Sequence, residues 1–145
     1  YVLESSALII AFWLIQFLYL FLTNLAGSLN RAILLSAAYV AAELIGLALI
    51  VGPLAILVPK RNYITHRRTL GVWGFTFAIV HMLAVSIFLQ IGPSAIFANL
   101  NPLENAILFG SMAFTIYLPL YLTSTDWATA KLGAKNWKRL QKRLL

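Results

Sequence analysis

Four apolar runs, each long enough to cross a bilayer as a helix and nearly free of charge, constrain this chain more than any other feature. They cover about 7–23, 32–58, 69–91 and 105–122. A spanning helix needs roughly 20 apolar residues. In hydrocarbon every backbone N–H and C=O must be satisfied within the protein, which helices do along their own length. The predicted fold class is therefore an all-α integral membrane protein. Four transmembrane helices form a bundle, and a basic amphipathic helix at 126–145 lies on the membrane or begins a fifth span. Composition agrees: 61% of the 145 residues are hydrophobic and 10% are charged, against about 25% charged in a soluble domain. The length suits a single transmembrane domain, 1–145. The chain begins at Tyr1 rather than Met and stops inside a basic helical pattern, so a longer gene product is expected.

The first run, ALIIAFWLIQFLYLFLT, is too long and too aromatic for a signal peptide and lacks a basic flank. Gln16 is its one strongly polar interior residue. The second run is rich in small residues (Ser36, Ala37, Ala38, Ala41, Ala42, Gly46, Ala48), which let membrane helices approach closely. Gly52-Pro53 is expected to bend or end it. A polar loop, PKRNYITHRR, precedes the third run. Asn101-Pro102 with Glu104 marks the start of the fourth. In the tail, Trp137, Leu140 and Leu144 fall on one helical face, with Lys135, Lys138, Arg139, Lys142 and Arg143 on the other. Such a helix suits the anionic headgroups of a cytoplasmic leaflet.

Charge sets the topology. Ten of the eleven Lys and Arg lie in the second loop or the tail, and only Arg31 lies in the first loop. The positive-inside rule then puts both termini and the second loop in the cytoplasm. The net charge of +7 is thus one-sided membrane anchoring, and nucleic-acid binding is excluded as its explanation. The chain has no cysteine, which removes disulfides, thiolate ligands and iron–sulfur clusters.

Within the spans, ionisable residues are few and mark function by default. His81 falls about 18 Å past Thr69 along the third helix, near mid-membrane. It is either a metal ligand or a histidine hydrogen-bonded to a neighbouring helix. His66, 15 residues earlier, is separated from it by about 22 Å of helix rise, so the two cannot bind one metal-centred cofactor together. His66 could serve a second, cytoplasm-side site only if the helix begins before it, and otherwise sits beside lipid phosphates. Glu43, ten residues into the second span, is either a proton or quinol contact or a hydrogen-bond partner to a helix-facing Tyr, Ser or His. Arg67 and Arg68 can hold a propionate or phosphate, or mark the cytoplasmic boundary. Gly71 and Gly74 are expected to face another helix. Trp13, Trp73, Trp127 and Trp137 are aromatic-belt candidates. No phosphate loop and no Ser-His-Asp set can be placed on one surface.

Two strings resemble a known family. One is Arg67-Arg68-x-Leu70-Gly71 with Phe75, Ala78 and His81. The other is Leu122-Thr123-Ser124, then Leu132-Gly133, then Trp137-Lys138-Arg139-Leu140, and Gly52-Pro53-Leu54 adds to them. From about residue 46 to the end the chain resembles the ferric reductase-like transmembrane domain. It is most like the YedZ/MsrQ type, the heme membrane subunit that supplies electrons to a periplasmic methionine sulfoxide reductase. The resemblance implies a six-helix bundle with b-type heme between histidines of the third and fifth helices. It makes His81 the third-helix ligand, and places a second, cytoplasm-side ligand about where Arg67 stands. It also exposes a departure: the family histidine that follows W-x-x-L is Gln141 here, a poor heme ligand.

Two functions follow as expectations. One is a b-type heme electron-transfer subunit in a bacterial inner membrane, working with another membrane or periplasmic protein. The other is a heme-free structural or accessory subunit of a larger membrane complex. A small transporter built on Glu43 lacks the inverted repeat that would support it.

Overall fold

The computed structural model describes residues 2–58, 63–90, 92, 94, 97, 98, 105–124, 130, 131, 133, 136 and 139. Four helices run in order: α1 (Val2–Leu22), α2 (Leu29–Leu57), α3 (Tyr63–Phe88) and α4 (Ala106–Leu122), with no strand among the described residues. The first three are long and apolar enough to cross a membrane. The fourth has 17 residues, a rise of about 25 Å at the short end of the spanning range. The chain falls into two compact units, 1–91 and 92–145.

In the first unit α2 is the central helix, packed on one side by α3 and on another by α1. Its small residues make this arrangement possible. Ala32, Ser36, Ala37 and Val40 are wholly buried and Ala41 nearly so. One core cluster joins Ile9 of α1, Ala37, Val40, Ala41 and Leu44 of α2, and Phe77 of α3. A smaller one, Leu20, Ala26 and Ala32, closes the α1–α2 corner. Large side chains left exposed in this unit include Leu8, Ile15, Leu22, Leu47, Ile50, Leu83 and Ile87.

The corner between α1 and α2 is made by its residue types. Asn24 takes φ 54° and Gly27 φ 72°, left-handed conformations that Asn and Gly adopt most readily. Ser28 then caps α2, its Oγ accepting from the Arg31 N–H at 3.3 Å.

Several boundaries differ from the expectations. α3 begins at Tyr63 rather than 69, so His66, Arg67 and Arg68 are helical and not in a loop. It ends at Phe88, with Gln90 at φ 53° just beyond. Pro53 neither ends α2 nor stops its last turn: the helix continues to Leu57 and Val58 N still bonds Leu54 O at 2.9 Å. A proline this near a C-terminus forfeits one backbone bond and leaves the following turn intact. Trp13 and Trp73, belt candidates in the sequence, both turn inward and pack on the core cluster, and the Trp13 indole N–H donates to Ser36 Oγ at 3.1 Å.

In the second unit, Asn105 caps α4 by accepting from Ile107 N and Leu108 N, both at 3.1 Å. Of the basic tail, Ala130, Lys131, Gly133, Asn136 and Arg139 are helical and exposed. Asn101, Pro102, Glu104, Trp127, Trp137, Leu140, Gln141 and Leu144 lie outside the described residues.

Candidate functional site

His81 is on α3, one face of which packs on α2. Its Nδ1 is 3.0 Å from the backbone carbonyl of Leu34 on α2. A carbonyl only accepts, so Nδ1 carries the proton and donates it. A neutral imidazole then keeps its lone pair on Nε2, which makes no hydrogen bond among the described residues. Metal-ligating histidines recur in this arrangement, with one ring N–H held by a carbonyl and the other nitrogen bare. The residues present therefore fit one axial position of an iron porphyrin. Among the described residues no group of three or more His, Asp or Glu could hold a bare metal ion. Along α3, His81 is about 22 Å from His66 and about 10 Å from Phe88, and lies about 6 Å past the midpoint of the apolar stretch His66–Phe88. The earlier helix start and earlier end account for that shift.

The basic residues lie at the start of α3, well away from His81, as their spacing requires, and the helix begins before His66, which is the condition for a second, cytoplasm-side site. His66, Arg67 and Arg68 form the first turns of α3, with His66 and Arg68 exposed and Arg67 half-buried. Arg67, Gly74 and His81 are each seven residues apart and share one stripe of the helix. Arg67 nonetheless lies about 21 Å from His81 along the axis.

Glu43 is not part of the His81 site. Leu34 and Glu43 are nine residues apart, which puts them on opposite sides of α2 at about 100° per residue. Glu43 meets α1 instead, where its Oε2 accepts from Gln16 Nε2 at 2.6 Å. Gln16 Oε1 is buried and has no hydrogen-bond partner among the described residues. The expected partner of Glu43 was a Tyr, Ser or His, and Gln16 takes that place. Here the sequence held a signal: the one strongly polar residue inside the first apolar run and the lone acid inside α2 are costly in hydrocarbon unless paired. The Leu34 carbonyl gave none, since every residue carries one.

The two glycines also separate. A Cβ on Gly74 would lie 2.9 Å from Ile45 Cγ1, whereas one on Gly71 would meet nothing within 4 Å. Gly74 is the close-approach residue, whereas at Gly71, contrary to expectation, an added Cβ would find open space among the described residues.

Known proteins bear on this arrangement. A family model for the ferric reductase like transmembrane component matches residues 9–144. Among curated proteins, similar chains include the protein-methionine-sulfoxide reductase heme-binding subunits MsrQ of Yersinia pseudotuberculosis serotype O:1b (strain IP 31758) and Yersinia pestis (strain Pestoides F). Each is 36% identical over 102 residues, which is 69% of this chain and 49% or 48% of theirs. The chain thus spans about half the length of the curated relatives it matches. No solved structure matches it. This helical membrane chain, matched over nearly its whole length, belongs to the ferric reductase-like transmembrane component family.

Proposed function

We propose that this chain is the heme-holding part of a membrane electron-transfer subunit, with His81 as one axial ligand of a b-type heme. The observation that carries this reading is the His81 Nδ1–H bond to Leu34 O, which leaves Nε2 as the ligating nitrogen. The relatives' name, heme-binding subunit, supports the same cofactor. When bound, heme accepts and releases one electron. The chain's own contribution is to fix the imidazole, to exclude water with the apolar packing of α2 and α3, and to hold the assembly in the bilayer. Arg67 and Arg68 serve at the cytoplasmic boundary of α3, and His66 beside them contacts headgroups rather than iron. The two compact units together make one transmembrane domain, a reading supported by a family match that runs across both. The relatives from Yersinia support a bacterial inner membrane, and charge asymmetry supports both ends of this chain in the cytoplasm. The partner is another membrane or periplasmic redox protein.

A second reading, a heme-free accessory subunit, draws on Gln141 at the position of the family histidine. One experiment separates the two. The full-length protein, purified in detergent, is reduced and its visible difference spectrum recorded. A sharp low-spin b-type band, lost or turned high-spin in His81→Ala and unchanged in His66→Ala, is the expected result. No heme band in the parent favours the accessory subunit, and a band that survives His81→Ala removes His81 as the ligand.

A further inference from the structure

Gly74 stands seven residues before His81, about 20° away around the helix, so the two share the stripe that meets α2. At Gly74 the two helices are close. An added Cβ would lie 2.9 Å from Ile45 Cγ1, 3.1 Å from Ile45 N and 3.2 Å from Leu44 Cβ. The last two atoms belong to the α2 backbone or are fixed to it, and neither can rotate away. A methyl group here must push the helices apart by a few tenths of an ångström. About 10 Å further along α3 the same interface is crossed by the His81–Leu34 hydrogen bond at 3.0 Å. Little of such a bond is left by about 3.5 Å. The margin at His81 is thus of the same size as the displacement that a side chain at Gly74 imposes. Nearby glycines do not share this role, since a Cβ on Gly71 of α3 or Gly46 of α2 meets nothing within 4 Å.

We propose that Gly74 is a positioning residue for the His81 imidazole. Its missing side chain sets the α2–α3 separation at which Nδ1 reaches the Leu34 carbonyl, and so keeps Nε2 as the bare nitrogen. The proposal deepens the heme reading and rests on it. If the bond to Leu34 is lost, the proton is no longer confined to Nδ1 and the ring is free to turn about its χ2 axis. Loss of such an orienting partner typically weakens metal binding about 10- to 100-fold.

The test uses the full-length protein labelled with ¹⁵N-histidine, in heme-free and heme-loaded forms, with the His81 resonances assigned by their loss in His81→Asn. The heme-free parent should show the Nδ1–H tautomer at His81. Gly74→Ala should show a mixture of tautomers and hold heme about tenfold less tightly. Gly46→Ala, a matched substitution in open space, should behave as the parent. If Gly74→Ala is not recovered folded, Ile45→Phe presses the same contact from α2 with α3 unaltered, and the same mixture is expected. A parent-like tautomer and parent-like heme retention in whichever of these variants folds overturns the proposal. Heme that survives His81→Ala overturns the ligand assignment instead, so the two failures are told apart.

Discussion

Replacing Ser36 by alanine removes the acceptor of the Trp13 indole N–H and little else. Ser36 is wholly buried. Its Oγ accepts from Trp13 Nε1 at 3.1 Å and donates to Ile33 O at 3.0 Å. The Ile33 carbonyl can keep its helical partner without the hydroxyl, but the indole N–H has no second choice. Its ring is wedged against Phe77 and Phe17, with centroids 5.7 and 6.3 Å away, so it cannot turn toward another acceptor without losing both contacts. An unsatisfied buried donor costs about 1–3 kcal/mol in soluble proteins. Interhelical hydrogen bonds in membranes average about 0.6 and reach about 1.7 kcal/mol. A wholly buried acceptor with an immobile, half-buried donor belongs in the upper part of that membrane range, about 1–1.5 kcal/mol, or roughly tenfold in the unfolding constant. Trp13→Phe loses the same bond plus part of the aromatic packing. A double-mutant cycle with Ser36→Ala therefore isolates the bond, with an expected coupling of about 1 kcal/mol. The assay is reversible unfolding of the full-length protein in mixed micelles, titrated with a denaturing detergent. Single-variant effects that add to within about 0.3 kcal/mol would refute the argument, and with it the claim that this bond fastens α1 to α2.

Gln16→Leu and Glu43→Leu should each lower stability by about 1 kcal/mol in the same assay, because each leaves polar atoms of the other in hydrocarbon. The double variant should recover most of that loss, and simple addition of the two would show that the pair is not linked. Asn105→Ala should destabilise the start of α4 by about 1 kcal/mol, read as faster amide exchange at Ile107 and Leu108; unaltered exchange there would contradict the cap. A topology reporter fused after Leu145 should report a cytoplasmic location and one inserted near Asn99 an extracytoplasmic one. A cytoplasmic reading at Asn99 would overturn the order of spans.

The helices were legible because hydrocarbon demands long apolar runs, and the small residues of the second run foretold its close packing against its neighbours. Their ends were less so. Hydropathy measures where the hydrocarbon stops, not where the helix stops, so the polar turn holding His66, Arg67 and Arg68 was read as loop although it continues α3. Trp13 was a belt candidate for a related reason. Indoles favour the interface because their N–H wants a polar partner, and Ser36 supplies one inside the bundle. At the site, His81 was legible from its depth and its motif. The atom that orients it is a backbone carbonyl, which residue identity does not reveal. Which of two similar glycines bears the helix contact was likewise hidden, because it depends on a rotation of about 60° around α3.

The contact at Gly74 and the bond at His81 together make bilayer thickness a chemical variable. The apolar part of α2, Leu29–Val51, has 23 residues, a length of about 34 Å against a hydrocarbon core of about 30 Å. It meets a thinner membrane by leaning further. Where α2 touches Gly74 it has a fulcrum at Leu44 and Ile45, and the Leu34 carbonyl sits on a lever arm about 16 Å long. A lean of a few degrees that barely changes the fulcrum swings that carbonyl across the imidazole. On the proposed heme reading, the nitrogen that His81 offers would then answer to the lipid around the protein as well as to the residues within it.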